Sequence, residues 1–142
     1  MARTVLDPII DYFGMIKLTY GFCSSELAKQ IPGRIAPRLD QHAAHELNAR
    51  LHPICSRLGV AVDFLIEDEN MLEVAQWVVA NTTFDRLYLY SDAQPLHVSV
   101  GPDCSREIVL MRISQSGRLM PRVMTQDDFL QLADYKTRVS RL

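Results

Sequence analysis

Two short runs of strand-forming residues constrain this chain most. Residues 59–64 read Gly-Val-Ala-Val-Asp-Phe and residues 95–100 read Pro-Leu-His-Val-Ser-Val, so each apolar run is broken by one metal-competent side chain, Asp63 or His97. A carboxylate or imidazole inside an apolar strand costs free energy unless something compensates it, and a bound cation is one such partner. Successive side chains of a strand face opposite ways. Alternation therefore groups Asp63 with Ala61 and Leu65, away from Val60, Val62, Phe64 and Ile66. It likewise groups His97 with Ser99, away from Leu96, Val98 and Val100. If these strands lie near one another, Asp63 and His97 meet on the less apolar face. Zinc then needs one or two more donors, with a position left for water if the site is catalytic. His42 and His45 are the candidates, and a helical segment would put both on one face with Glu46 beside them.

The rest of the chain reads as an ordinary globular protein. At 142 residues, 48% apolar and 23% charged, it has the length and composition of one folded unit spanning residues 1–142. No stretch approaches the roughly 20 apolar residues needed to cross a bilayer. The first eight residues, Met-Ala-Arg-Thr-Val-Leu-Asp-Pro, carry no apolar run of the signal-peptide kind. The expectation is a cytoplasmic protein without a membrane partner. A formal charge of −2, with Arg118, Arg122, Arg138 and Arg141 scattered, gives no basic footprint for nucleic acid. Cys23, Cys55 and Cys104 are odd in number and form no Cys-x-x-Cys pair, which fits reduced thiols and disfavours a cysteine-based zinc site. The oligomeric state is left open.

The predicted elements are short and hairpin-linked. Residues 15–22 alternate as a strand, and Ser24 caps a helix through Gln30. Two prolines and a glycine make 31–38 a loop, and 40–48 fit either a helical turn or a loop. Residues 60–66 form a strand, and Asn70 with Glu73 opens an apolar helix around Trp77 that stops near Asn81. Strands follow at 86–90, 96–100 and 107–113, and Thr125 caps a closing helix carrying Phe129, Leu130, Leu132 and Ala133. The sum is an α+β fold with a largely antiparallel sheet and flanking helices.

A set of motifs in order adds to this reading. It comprises Ile9-Ile10-Asp11-Tyr12-Phe13-Gly14, Leu18-Thr19-Tyr20-Gly21-Phe22-Cys23-Ser24-Ser25-Glu26-Leu27 and Asp40-Gln41-His42. It continues through Gly59-Val60-Ala61-Val62-Asp63-Phe64, Phe84-Asp85-Arg86-Leu87-Tyr88-Leu89-Tyr90, Leu96-His97-Val98-Ser99 and Ser105-Arg106. Over roughly residues 5–113 the chain resembles the M15 peptidases, D-alanyl-D-alanine carboxypeptidases and phage peptidoglycan endopeptidases of the hedgehog/DD-peptidase fold. The resemblance implies one Zn2+ per chain, held by His42, Asp63 and His97. The 21 positions between His42 and Asp63 exceed the family spacing, so an insertion holding His45 and Glu46 is implied, with His45 and His52 as rival first ligands.

The family also uses a glutamate as general base, and Tyr90 stands in its place. Tyrosine, with an ordinary pKa near 10, is a poor base at neutral pH. Asp92 and Glu46 are the substitutes the sequence offers, and Tyr90 and Ser99 are the expected substrate contacts. Cys23 occupies the position of the arginine that holds the substrate carboxylate in the family. The expected function is a divergent zinc-dependent hydrolase acting on a peptide or other amide. The alternatives are an inactive relative that keeps zinc for structure or ligand binding, and a metal-free interaction module.

Overall fold

The computed structural model describes residues 1–32, 36–43 and 46–133. A π-helical turn, Ala2–Leu6, runs into helix α1, Asp7–Phe13, which has Pro8 in its first turn and ends at Gly14 with φ +93°. Strand β1, Lys17–Tyr20, is shorter than the alternation of 15–22 suggests, and Met15 and Phe22 lie outside it, both exposed. Helix α2, Ser25–Gln30, is capped as expected, with Ser24 Oγ accepting the Leu27 N–H. Turns of 3-10 helix follow at Pro37–Leu39 and Gln41–Ala43.

The remaining elements are β2 (Val60–Leu65), α3 (Met71–Asn81), β3 (Arg86–Leu89), β4 (Leu96–Val100), β5 (Glu107–Ile113), β6 (Leu119–Met124) and α4 (Gln126–Leu130). Asn70 caps α3 by accepting the Leu72 N–H, and Thr125 caps α4 by accepting the Asp128 N–H. α4 closes at Leu130, so Leu132 and Ala133 fall beyond the helix predicted to carry them.

The strands form one six-stranded sheet in the order β1-β2-β4-β3-β5-β6. Every neighbouring pair is antiparallel except β3 and β5, which run parallel. The fold is thus α+β with a mostly antiparallel open sheet.

Alternation sorts the two faces. Val62 and Phe64 on β2, Leu96 and Val98 on β4, Leu87 and Leu89 on β3, and Ile108 and Leu110 on β5 all enter the main core. Met71, Leu72, Val74, Ala75, Val78 and Val79 of α3 pack against them, joined by Val5, Ile9 and Phe129. Trp77, on the apolar helix α3, is half-buried and stacks on exposed Tyr12, with ring centroids 4.9 Å apart.

The opposite parity carries a row of residues in register across the whole sheet: Tyr20, Asp63, His97, Tyr88, Val109 and Val123. Asp63 and His97 are direct cross-strand partners in this row. Facing residues of an antiparallel pair have Cβ atoms about 4.5–5.5 Å apart, so the two polar groups meet without help from any other element.

Candidate metal centre

The third member comes from outside the sheet. His42 sits in the middle of the Gln41–Ala43 turn and is 3% exposed. Three bonds hold the turn where it is. The Cys23 N–H donates to the His42 carbonyl at 2.9 Å, the His42 N–H donates to Asp40 Oδ1 at 3.0 Å, and His42 Nδ1 lies 2.9 Å from the Gly21 carbonyl oxygen. Gly21 and Cys23 follow directly on β1, so the edge strand grips the histidine through the main chain.

Those contacts decide the tautomer. A carbonyl oxygen only accepts, so Nδ1 of His42 carries a proton, and in the neutral ring Nε2 presents a lone pair. That lone pair faces Asp63 Oδ1 at 3.1 Å and His97 Nδ1 at 3.1 Å, while His97 Nδ1 and Asp63 Oδ1 are 2.8 Å apart. A proton on His97 Nδ1 can serve the carboxylate. With His42 neutral, its Nε2 and Asp63 Oδ1 are then two acceptors in contact; a second ring proton, which lets Nε2 donate to the carboxylate, or a cation relieves this.

A cation among the three atoms removes that conflict once the His97 proton sits on Nε2, because all three atoms then offer it lone pairs. Tetrahedral donors at zinc distances of about 2.0–2.1 Å stand about 3.3–3.4 Å from one another. The observed separations fall a few tenths of an ångström short of this, within reach of small side-chain movements. The buried His-Asp-His group can therefore hold a metal ion.

The surroundings favour the ligand forms of these side chains. Burial works against a charge on Asp63, but the hydrogen bonds of His42 and His97 prevail and hold its carboxyl well below the usual carboxylate range. Burial pushes the His97 imidazole below its ordinary value despite the opposing influence of Asp63, which favours the neutral ring that ligates metals. The His42 contact with Gly21 is the kind of outer bond that orients a ligating imidazole. Rings close two sides: Tyr20 stands edge-on to His42 at 4.5 Å and Tyr88 edge-on to His97 at 5.0 Å. The side chains of Asp63 and His97 keep 11% and 12% exposure against 3% for His42, so solvent touches the group at the two strand residues.

The other described candidates make contacts of their own. Glu46 Oε2 accepts the Ser25 N–H at 2.6 Å, in the first turn of α2. Asp92 sits in the β3–β4 connection, where its carbonyl accepts the Met71 N–H that opens α3. Tyr90 directly follows β3 and is half-buried. Ser99 is fully buried, and its Oγ accepts the Arg86 N–H and donates to the Arg86 carbonyl, joining β4 to β3. His52 is exposed in a turn closed on Asn48, and His45 lies outside the described residues. Among the described residues, His42, Asp63 and His97 are the group assembled to hold a metal. Cys23 and Cys55 are buried and Cys104 is exposed, all three as free thiols.

Sequence reasoning missed Tyr88, Gly21 and Gln41 as parts of this neighbourhood. Tyr88 was within reach of it, because the parity of Arg86–Leu89 puts it on the His97 side. Gly21 and Gln41 act through a carbonyl and a long-range amide contact, for which a sequence carries no periodic signal. No protein-family model, curated protein or solved structure matches this chain.

Proposed function

We propose that this protein is a zinc-dependent hydrolase of the M15 type, with the hedgehog/DD-peptidase fold, acting on a peptide or other amide bond. The observation that carries the reading is the convergence of His42 Nε2, Asp63 Oδ1 and His97 Nδ1, three electron-pair donors drawn from positions far apart in the chain. Three protein ligands leave a tetrahedral ion one open position, which is the pattern of catalytic rather than structural zinc. When bound, zinc supplies Lewis-acid chemistry, polarising an amide carbonyl and lowering the pKa of water.

The chain's own residues divide the remaining tasks. His42, anchored on Gly21, and the strand pair Asp63 and His97 fix the ligand geometry. Tyr88 and Tyr20 wall the group and limit water around it. Asp92 and Glu46 are the proposed proton acceptors, and Tyr90, two positions beyond Tyr88, the proposed substrate contact. Of the two carboxylates, Glu46 is already engaged by the Ser25 N–H. That engagement supports a second reading, in which the metal is retained for ligand binding without turnover.

Metal content by plasma mass spectrometry, on wild type and on the His42→Ala, Asp63→Ala and His97→Ala variants, tests the centre. Near one zinc per wild-type chain, lost in each variant, supports it; a wild type that takes up no zinc during refolding overturns it. Amide hydrolysis by wild type, lost in Asp92→Asn or Glu46→Gln with zinc retained, separates an enzyme from a binding protein.

A further inference from the structure

His42 is the ligand most in need of support, because it rides on a three-residue turn while Asp63 and His97 are fixed by the sheet. The residue before it, Gln41, is 2% exposed, and its side chain bonds to residues other than Gly21 and Cys23. Its Nε2 donates to the Leu58 carbonyl at 2.9 Å and to Asp85 Oδ2 at 2.8 Å, using both amide hydrogens. Asp85 is fully buried and is itself held at every polar atom. Its Oδ1 accepts from the Ser105 N–H and hydroxyl, each at 2.8 Å, and its Oδ2 accepts from Arg86 at 2.7 Å as well as from Gln41. Its N–H donates to the Ser99 carbonyl, and its own carbonyl accepts the Glu107 N–H. Asp85 therefore sits where β3, β4 and β5 are tied together, and Gln41 joins the His42 turn to that tie.

A glycine makes room for this bond. A Cβ at Gly101 would lie 2.8 Å from Gln41 Nε2 and 2.9 Å from Asp85 Oδ2. Any side chain there would push on both partners.

We propose that Gln41 and Asp85 are positioning residues for metal binding, their buried hydrogen bond fixing the His42 turn against the sheet so that Nε2 meets Asp63 and His97. The proposal rests on the metal-binding reading above. Held by Gly21 and Cys23 and separately by Asp85, the turn is tethered twice. Outer-shell partners of this kind are worth about 10- to 100-fold in metal affinity.

The test measures Zn2+ affinity by competition with a chromophoric chelator, and the absorption spectrum of the Co2+-loaded full chain. Wild type, Gln41→Met, His42→Ala and the double variant are compared, with the melting temperature of each metal-free protein. Gln41→Met is expected to weaken Zn2+ by about 10- to 100-fold and to shift the Co2+ bands toward those of His42→Ala. In the His42→Ala background the same change is expected to alter the residual affinity by less than about twofold, since nothing is left to position. If Gln41→Met lowers only the melting temperature, with Zn2+ affinity and Co2+ spectrum unchanged, the role is structural and the proposal fails. An equal loss of affinity in the His42→Ala background overturns it too. Should Gln41→Met not fold, Gly101→Ala, which crowds the same bond, is read by the same criteria. A wild type that binds neither metal overturns this proposal together with the metal-binding reading; a metal-binding wild type matched by Gln41→Met overturns the positioning role alone.

Discussion

One proton decides how the three metal-facing side chains can interact. Because Gly21 takes the Nδ1 proton of His42, the neutral ring has only an Nε2 lone pair to offer a carboxylate 3.1 Å away. An amide at position 63 would offer that lone pair an N–H. Asp63→Asn is therefore expected to leave the metal-free protein as stable as wild type, or more so, while abolishing metal uptake; denaturant titration and metal analysis of the same sample read both effects. A marked loss of metal-free stability would contradict the neutral tautomer, and strong metal binding in the variant would contradict the need for a carboxylate at position 63.

Asp85 is the other residue whose charge matters. Burial opposes its ionisation, but the Ser105 backbone and hydroxyl, Gln41 and Arg86 together hold its carboxyl below the usual range. Glu107, 3.7 Å from Arg86, is the remaining charge in that group. A carboxyl with a lowered folded-state pKa contributes stability that is fully present above its unfolded value, about 3.9, and is lost as pH falls through the folded value. Asp85→Asn should cost about 1–3 kcal/mol at neutral pH. It should also flatten the decline in stability below about pH 4, measured by urea unfolding at a series of pH values. A decline as steep as in wild type would assign acid sensitivity to other groups.

Among the elements, those with a regular period and a capping side chain were legible in the sequence. α3, Met71–Asn81 behind its Asn70 cap, was legible because its apolar residues recur at helical spacing after an acceptor side chain. Asn70→Ala should cost about 0.5–2 kcal/mol, read by thermal melting, with the metal ligands undisturbed. β2 and β4 were legible by alternation, which also put Asp63 and His97 on one face. The register that sets them directly opposite was not, because it depends on which strands are neighbours.

β6 escaped notice for a physical reason. Leu119, Met120, Pro121, Arg122 and Val123 are all exposed, so burial imposes no alternation, and an edge strand paired on one side tolerates a proline. α1 spans too few turns to show a period. The Gln41–Ala43 turn has no period at all, and only tertiary contacts place it. His42 was therefore legible only as one of two candidate donors, beside His45, whereas Asp63 and His97 were legible through strand chemistry.

Over the whole molecule, the ordering of strands keeps the two tasks of the sheet apart. One face is given to the core with α3, and the other parity carries the row from Tyr20 to Val123, with the metal group where β1, β2 and β4 come together. The connection from β1 to β2 spans residues 21–59 and carries His42, so the site closes only when β1, β2 and β4 have all paired.

That long closure has a kinetic meaning. Contacts between residues distant in sequence form late and slowly, whereas the β5–β6 hairpin can form at once. The three candidate ligands lie 21 and 34 positions apart along the chain, so a partly folded chain has no complete grip on an ion. An ion bound only by the finished structure stabilises it without stabilising the barrier state. Stopped-flow denaturant jumps with and without Zn2+ should show slower unfolding and an unchanged refolding rate. Faster refolding with Zn2+ would mean that His42 reaches the sheet before the barrier is crossed. On the expected result, the ion acts as a brake on unfolding: it lengthens the lifetime of the finished chain and gives no help in making it.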